Sequence, residues 1–220
     1  MENPVELRLV TVSSAPSGTG SYVYEQRFDV ILHRFGERRA AVVCGTEAGP
    51  PSELVASLVE PLAGDRERWR LTTSFPVTAF MVRYTVDGVT YRDDNDGTGY
   101  HVPLVTDDFA IVLGRSYAVA LGMARLGGGA LTAAVAVRPL AYEKAVGLVY
   151  TTDRWATPRV TEAAYHRTVA GGVEVWTTRA MVGDAPEVEL AVYYRALGQE
   201  RWDNNFGANY RVANGNLIAF

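Results

Sequence analysis

The sequence contains the segment Trp202-Asp203-Asn204-Asn205-Phe206-Gly207-Ala208-Asn209-Tyr210, and an altered copy, Arg92-Asp93-Asp94-Asn95-Asp96-Gly97-Thr98-Gly99-Tyr100, lies 110 residues earlier. The register between the copies continues without gaps on both sides. Self-similarity at one fixed spacing is typical of a repeated structural unit. The sequence therefore predicts two tandem domains of similar fold, at residues 1–105 and 106–220.

Composition and charge exclude several classes of protein. Hydrophobic residues make up 48% of the 220-residue chain, enough for two domain cores. The net charge is -4 and no basic stripe occurs, so no nucleic-acid partner is predicted. No apolar run reaches the ~20 residues of a membrane span, and Met1-Glu2-Asn3-Pro4 has no signal core, so we expect no membrane association. The single cysteine, Cys44, fits a reducing compartment and predicts a cytoplasmic protein.

Short apolar or alternating stretches recur along the chain, as expected for β-strands. They include residues 5–9, 28–32, 133–137 and 188–193. Turn-forming clusters such as Ser17-Gly18-Thr19-Gly20 and Gly127-Gly128-Gly129 separate them. Only two windows are helix-like, namely residues 52–62, where leucines are spaced by four, and residues 162–166. The pattern predicts an all-β protein of two antiparallel sandwiches.

Two turns of the same kind separate pairs of strand-like segments, and each predicts a β-hairpin. They are Asp87-Gly88, between residues 81–86 and 89–91, and Leu197-Gly198, between residues 189–196 and 199–202. In each copy the nine-residue segment begins at the end of the returning strand and forms a polar loop before a last strand, residues 210–212 in the second copy. Trp202 is thus predicted at a strand end, beside a loop whose side chains reach solvent.

The chemistry of this loop suits a sugar ligand. A pyranose ring has an apolar face that packs on an indole such as that of Trp202, and its hydroxyls both donate and accept, as the amides of Asn204 and Asn205 do. Asp203 would add a charge-assisted acceptor. The alternative is structural, because Asp, Asn and Gly form turns and Trp202 could belong to the core. The loop alone leaves both interpretations open.

Four stretches together resemble the family 21 carbohydrate-binding modules. They are Leu140-Ala141-Tyr142-Glu143-Lys144-Ala145-Val146, then Asp153-Arg154-Trp155, then residues 188–194 and finally the nine-residue segment from Trp202 to Tyr210. The resemblance covers residues 133–212 and involves modules found in fungal glucoamylases as starch-binding domains and in glycogen-targeting subunits of protein phosphatase 1. It implies an immunoglobulin-like sandwich that binds α-1,4-glucan without catalysis and without a cofactor.

The resemblance also implies two sugar sites. In the first, Trp155 and Trp202 form an aromatic platform, with Asn204 and Asn205 as hydroxyl partners. Asn209 either joins them or holds the loop through its amide. Ala191 stands where the family commonly has a third aromatic, and Phe206 replaces a usual asparagine.

In the second site, Tyr142 and Tyr165 are the rings, Lys144 assists them and Glu174 is a polar partner. Tyr142 and Lys144 are two positions apart, so on a strand they would face the same way. The alternatives are a core position for Tyr142 and a solvated strand position for Lys144.

The first copy departs from the family at its platform. Arg92 replaces the residue corresponding to Trp202, Asp94 replaces the one corresponding to Asn204, and no counterpart of Tyr142 occurs around residues 36–39. The first domain is therefore predicted to be a degenerate copy with a structural role.

Other chemistries find no support in the sequence. Asp94-Asn95-Asp96-Gly97 resembles a calcium loop, but Arg92 and Pro103 occupy two of the ligand positions, so no metal is predicted. The three histidines are scattered, and Asp107-Asp108 offers no controlled carboxyl pair for an enzyme. Arg159-Val160-Thr161-Glu162 lacks the aromatic of a phosphatase-docking segment. The alternative to glucan binding is a module that binds another protein or forms a homodimer.

Overall fold

The computed structural model describes residues 3–16, 22–33, 38–45, 53–104 and 109–219. Within them the chain is all-β, with twenty strands and one short 3-10 turn at Asn205–Gly207. It divides into a first unit, Met1–Ser116, and a second unit, Tyr117–Phe220. The division falls after the predicted position at 105/106 because a strand, Phe109–Leu113, pairs with the first strand of the chain.

The first unit contains two antiparallel five-stranded sheets. Its strands are β1 (Val5–Pro16), β2 (Tyr22–His33), β3 (Arg38–Gly45), β4 (Glu53–Val55), β5 (Ser57–Leu62), β6 (Arg66–Thr73), β7 (Ala79–Val86), β8 (Val89–Asp93), β9 (Tyr100–His101) and β10 (Phe109–Leu113). One sheet has the order β10-β1-β2-β6-β5, and the other has the order β4-β3-β7-β8 with β9 also beside β7. The sheets contact each other where Phe28 meets Phe80 edge to face, with ring centroids 4.9 Å apart.

The second unit has the same strand order, strand for strand. Its strands are β11 (Val119–Gly127), β12 (Ala130–Val137), β13 (Lys144–Thr151), β14 (Arg159–Glu162), β15 (Ala164–Thr168), β16 (Glu174–Met181), β17 (Glu187–Ala196), β18 (Gln199–Asp203), β19 (Tyr210–Ala213) and β20 (Leu217–Ala219). One sheet is β15-β16-β12-β11-β20, and the other is β14-β13-β17-β18 with β19 beside β17.

The two sheets of the second unit enclose a common core, so this unit is a β-sandwich. Alternate residues of β17 face inward: Val188, Leu190, Val192, Tyr194 and Ala196 pack with side chains of β11, β12 and β13. Because side chains alternate along a strand, the intervening residues of β17 face away from the core. We call the surface that they form the outer face: Glu189, Ala191, Tyr193 and Arg195 lie on it.

The predicted hairpins at Asp87-Gly88 and Leu197-Gly198 are confirmed, since β7 pairs with β8 and β17 pairs with β18 across these turns. Both predicted helices are wrong, because residues 53–62 form β4 and β5, and residues 159–168 form β14 and β15. Leucines four positions apart lie on one face of a helix and also on one face of a strand, whose period is two. The spacing therefore does not distinguish a helix from a strand. The turn at 17–20, the junction at 105–108, residues 36–37 and the side chain of Cys44 lie outside what is described.

A buried carboxylate joins the two sheets of the second unit. β11 has an irregular register between Leu121 and Met123, and such a bulge leaves a backbone group unpaired. The backbone N–H of Leu121 donates instead to Asp203 Oδ2 at 2.6 Å, and the Tyr210 hydroxyl donates to Asp203 Oδ1 at 2.7 Å. Asp203 at the end of β18 is only 9% exposed. The carboxylate therefore links β11 of one sheet to β18 and β19 of the other.

The first unit repeats this arrangement with Asp93. Its Oδ2 accepts from the backbone N–H of Leu7 at 2.7 Å, again at a register shift in the first strand of the unit. The Tyr100 hydroxyl donates to the same carboxylate at 2.9 Å. Burial raises the pKa of Tyr100, which therefore stays a neutral donor. One buried aspartate thus has the same role in each unit.

Gly147 in β13 provides the space for an outer-face tyrosine. It pairs with Tyr193 across the sheet, and a β-carbon on it would lie 2.5 Å from the Tyr193 hydroxyl and 2.4 Å from the backbone oxygen of Thr161. Only glycine fits here, because the carbonyl belongs to the neighbouring β14 and has no room to move away. Tyr193 consequently lies flat over the sheet and is 2% exposed.

We expect Asp203→Ala to lower the free energy of unfolding of the second unit by about 2–4 kcal/mol, because two buried donors would lose their acceptor. Urea unfolding followed by tryptophan fluorescence measures this, since Trp155, Trp176 and Trp202 lie in that unit and only Trp69 in the other. Asp184→Ala is the control because Asp184 is exposed. A loss no larger than that of the control would contradict a linking role for Asp203.

Gly147→Ala is expected to destabilise the second unit by about 1–3 kcal/mol, as overpacking of a tight site does. The same urea titration measures the loss. Gly127→Ala is the matched control, because a β-carbon at Gly127 would meet no atom within 4 Å. Equal unfolding midpoints for the two variants would show that Tyr193 and β14 tolerate the methyl group.

Candidate functional site

An exposed indole lies on the outer face, supported by a buried tyrosine. Trp202 of β18 pairs with Tyr193 of β17, and their ring centroids are 6.0 Å apart with an interplanar angle of 59°. Trp202 is 45% exposed, so it is not a core residue. Tyr193 lies beside this indole on the neighbouring strand, and it was not among the site residues predicted from the sequence. In the sequence, Tyr193 and its inward-facing neighbour Tyr194 belong to one apolar run, so nothing there distinguishes Tyr193 from a core residue.

The second indole is presented by the turn between β13 and β14. Asp153 organises this turn, because its carboxylate accepts from the hydroxyls of Thr151 at 2.6 Å and Thr157 at 2.5 Å. These hydrogen bonds lower the pKa of Asp153 to about 2, so the carboxylate is ionised at neutral pH. Arg154 and Trp155 have φ values of +57° and +68°. Such left-handed backbone costs energy in non-glycine residues and is concentrated at functional sites.

Trp155 is held against the same outer face as Trp202. Its indole N–H donates to Glu189 Oε2 at 2.8 Å. Glu189 and Tyr193 are four positions apart on β17, or about 13 Å at the usual strand rise. Ala191 lies between them and is 5% exposed. Along β17, Ala191 therefore separates the two residues that the indoles contact.

The asparagines after Trp202 shape the loop. Asn204 Oδ1 accepts from the Gly207 N–H at 3.0 Å, and Asn205 Nδ2 donates to the Asn209 carbonyl at 3.1 Å. Asn205, Phe206 and Asn209 all have positive φ. Asn204 is exposed, whereas the other two asparagines and Phe206 are half-buried. The amides of Asn205 and Asn204 are therefore used at least partly to hold the loop that follows the platform.

Asp203 does not take the sugar-facing position expected from the sequence. It follows Trp202 directly on β18, and successive side chains of a strand point to opposite faces. Because Trp202 faces outward, Asp203 faces the core and uses its carboxylate on Leu121 and Tyr210.

Lys144 and Glu174 form a buried ion pair between the two sheets. Lys144 Nζ lies 2.7 Å from Oε1 and 2.9 Å from Oε2 of Glu174, and its side chain is 6% exposed. Lys144 is therefore not a solvated strand residue. The Trp176 indole N–H also donates to Glu174, at 2.8 Å, and the Tyr165 ring meets Trp176 edge-on at 6.0 Å. The structure thus joins Lys144, Glu174 and Tyr165 through Trp176, which the sequence did not single out.

Tyr142 is 98% exposed and therefore not a core residue. The expectation that it faces the same way as Lys144 along a strand does not apply, because β13 begins only at Lys144. Among the described residues no hydrogen bond or ring contact ties Tyr142 to the cluster around Glu174. Tyr165, by contrast, is half exposed at 51% with its position set by Trp176.

The first unit has a different outer face at the corresponding place. Arg92 of β8 pairs with Arg83 of β7, where the second unit has Trp202 paired with Tyr193. Arg83 forms an ion pair with Glu53 at 2.6 Å. Two guanidinium groups replace two neighbouring aromatic rings, so these positions provide no apolar platform.

Neither a metal-binding cluster nor a membrane-spanning helix occurs in the part of the chain that the structure describes. No group of three or more His, Cys, Asp or Glu side chains there is arranged to hold a metal ion. The described residues contain no helix with the length and apolar character that crossing a membrane requires.

Residues 115–213 match the family model described as carbohydrate/starch-binding module (family 21). Protein phosphatase 1 regulatory subunit 3C from Bos taurus is 34% identical over 88 residues, which are 37% of this chain and 28% of that protein. Glycogen-binding subunit 76A from Drosophila melanogaster is 33% identical over 84 residues, which are 36% of this chain and 12% of that protein. The chain thus spans less than a third of the length of these relatives.

Two solved structures are similar over slightly less than half of the chain. The starch binding domain of Rhizopus oryzae glucoamylase, in complex with beta-cyclodextrin and maltoheptaose, has a TM-score of 0.40 and 26% identity, over 46% of this chain and 98% of that domain. The carbohydrate binding module of the muscle glycogen-targeting subunit of Protein Phosphatase-1 has a TM-score of 0.37 and 21% identity, over 44% and 75%. The matches are to carbohydrate-binding modules and to regulatory or glycogen-binding subunits, and they indicate no enzyme family.

Proposed function

We propose that the second unit binds an α-1,4-glucan, such as glycogen or starch, without catalysis. The observation that carries the proposal is the exposed indole of Trp202, held on the same sheet face as Trp155 within the segment that the family model matches. An exposed ring that is fixed in place costs little entropy to bind, and the apolar face of a pyranose packs against it.

The hydroxyls of the sugar need polar partners beside the rings. Asn204 follows the platform directly and is exposed, and its Nδ2 has no hydrogen bond within the described residues. We assign it a direct role, whereas Asn205 and Asn209 act chiefly by holding the loop. A carboxylate is not needed at Asp203, which stabilises the sandwich instead.

We propose a second, smaller site at Tyr142 and Tyr165. Both rings are largely exposed. The Lys144–Glu174 pair supports Tyr165 indirectly, because Glu174 orients the Trp176 ring on which Tyr165 rests. Lys144 and Glu174 are therefore positioning residues in this proposal, since the lysine is nearly buried.

The first unit is, in this proposal, a degenerate copy of the second, so the chain is a tandem pair of immunoglobulin-like sandwiches. The shared strand order, the corresponding aspartates Asp93 and Asp203 and the repeated nine-residue segment support a duplication. Arg83 and Arg92 in place of the two aromatic rings support a first unit that does not bind glucan on this face.

We expect each site to bind a single short glucan chain weakly and the two sites together to bind a polymer more tightly. Shallow stacking sites gain little per sugar, but a branched glucan presents many chain ends close together, so a second contact becomes intramolecular. Binding to glycogen should therefore be tighter than binding to a short oligosaccharide.

A protein-binding role is the alternative, and exposed apolar side chains of the first unit favour it. Val55 of β4 and Leu58 and Val59 of β5 are each about half exposed. Exposed apolar surface marks interaction sites in soluble proteins. In the alternative, these side chains bind another protein or a second copy of the chain.

We expect Trp202→Ala and Trp155→Ala each to weaken maltoheptaose binding by at least about tenfold, equivalent to ~1.4 kcal/mol of lost stacking. Isothermal titration calorimetry at millimolar ligand measures the affinities. Phe75→Ala is the control, because Phe75 is exposed to a similar degree, 49%, but lies in the first unit. Failure of the unaltered protein to bind either maltoheptaose or glycogen would exclude the proposed function.

The protein-binding alternative predicts a different result. Leu58→Glu would then reduce the molar mass measured by light scattering, or abolish co-purification of a partner, while glycogen co-sedimentation stays unchanged. If Leu58→Glu changes neither, and both tryptophan variants lose glycogen co-sedimentation, the glucan proposal stands alone.

A further inference from the structure

A depression of about 720 Å³ lies at the tip of the β17–β18 hairpin, next to the Trp202 platform. Its lining consists of Ala141, Glu143 and the hairpin residues Arg195, Ala196, Leu197, Gly198, Gln199 and Glu200. Ala141, Ala196 and Leu197 contribute the apolar part of the lining, Ala196 from the edge of the core and Leu197 from the exposed hairpin tip, and the four charged or amide side chains contribute the polar part, which we call the rim. Small-molecule sites commonly have this composition and a volume of roughly 300–1,000 Å³.

Two residues of the rim, Glu200 and Arg195, contact Trp202 directly or through Tyr193. Glu200 Oε1 accepts from the Trp202 indole N–H at 2.8 Å, and Glu200 Oε2 accepts from Arg195 Nε at 2.5 Å. The Arg195 guanidinium lies 4.6 Å from the centroid of the Tyr193 ring, which packs against Trp202. The four side chains occupy two cross-strand pairs that follow one another on the same face, separated in the ladder by the pair Tyr194 and Arg201. Glu200 therefore both lines the depression and contacts the Trp202 indole.

The rim has the hydrogen-bonding capacity that sugar hydroxyls need. The hydrogen bond from Arg195 lowers the pKa of Glu200, which is thus an ionised acceptor. Only the Nε of Arg195 has a partner among the described residues, so its terminal nitrogens remain as donors. Gln199 Oε1 accepts from Arg201 at 2.5 Å, which leaves its amide hydrogens to donate, and Glu143 is an exposed acceptor. The lining thus offers both donors and acceptors.

The charges of the rim point to a neutral ligand. The carboxylates of Glu143 and Glu200 are balanced by the guanidinium groups of Arg195 and of Arg201, which donates to Gln199, so the rim has no net positive charge that would attract phosphate or a carboxylated sugar. A cation is also disfavoured, because Glu200 already shares its carboxylate with Arg195 and Trp202. A neutral polyhydroxylated chain can hydrogen-bond to both kinds of group, because each of its hydroxyls donates and accepts.

We infer that this depression is a further sugar subsite, in which Arg195, Gln199, Glu143 and Glu200 bind hydroxyls of glucosyl units that extend the same chain beyond Trp202. The inference rests on the proposed function and adds a preference for chain length to it. A trisaccharide can occupy the platform alone, whereas a heptasaccharide also reaches the depression. The longer chain therefore gains affinity that the shorter one lacks.

The experiment compares maltotriose and maltoheptaose by isothermal titration calorimetry on the full chain. The variants are Glu143→Ala, Gln199→Ala and the double variant, because neither side chain contacts Trp202. Glu187→Ala is the matched control, since Glu187 is an exposed carboxylate at the other end of β17. Urea unfolding midpoints equal to that of the unaltered protein verify the fold of each variant.

We expect the unaltered protein to bind maltoheptaose at least about fivefold more tightly than maltotriose. The double variant should reduce maltoheptaose affinity about three- to tenfold and leave maltotriose affinity unchanged, whereas Trp202→Ala should weaken both sugars. An unchanged affinity ratio in the double variant, together with loss of binding in Trp202→Ala, would overturn the subsite and keep the proposed function. Absence of binding to both sugars by the unaltered protein would overturn both.

Discussion

The contact between the Asp203 carboxylate and the backbone N–H of Leu121 is the constraint on which the second unit depends. It satisfies a donor that the bulge in β11 removes from the sheet, and it joins the two sheets of the sandwich. It also determines the direction of its neighbour. Because side chains alternate along β18, an inward Asp203 requires an outward Trp202. The same interaction thus stabilises the fold and exposes the indole.

The two units share the residues that maintain the fold and differ in the residues of the outer surface. Asp93 and Asp203 accept from corresponding backbone groups, and the strands have the same order in both units. The residues before them, Arg92 and Trp202, face outward and differ. A change at an outward position leaves the core untouched, so the surface could change while the sandwich was retained. On the second unit this surface combines Trp202 and Trp155 with the polar rim around Glu200.

Local patterns predicted much of the fold. The hairpins at Asp87-Gly88 and Leu197-Gly198 follow from turn chemistry between alternating segments, which acts over a few residues. The helix predicted at 52–62 failed because the leucine spacing fits a strand as well. Asp203 was expected to contact sugar, although alternation after an outward Trp202 turns it inward; what its carboxylate does there depends on Leu121, 82 positions away in the chain. Tyr193 and Trp176 were missed, since each resembles an ordinary strand aromatic until its neighbours across the sheet are known.

The sequence by itself determined the all-β class and the two hairpin turns, because these depend on short-range periodicity and on residues that favour positive φ. Only the tertiary structure decided the rest. Lys144 and Glu174 form a largely buried ion pair between two sheets. The Trp155 indole donates to Glu189, and Ala191 lies on β17 between the residues that the two indoles contact. These facts depend on contacts between strands that are distant in the chain. The register of such strands is set by the whole core and not by any one segment.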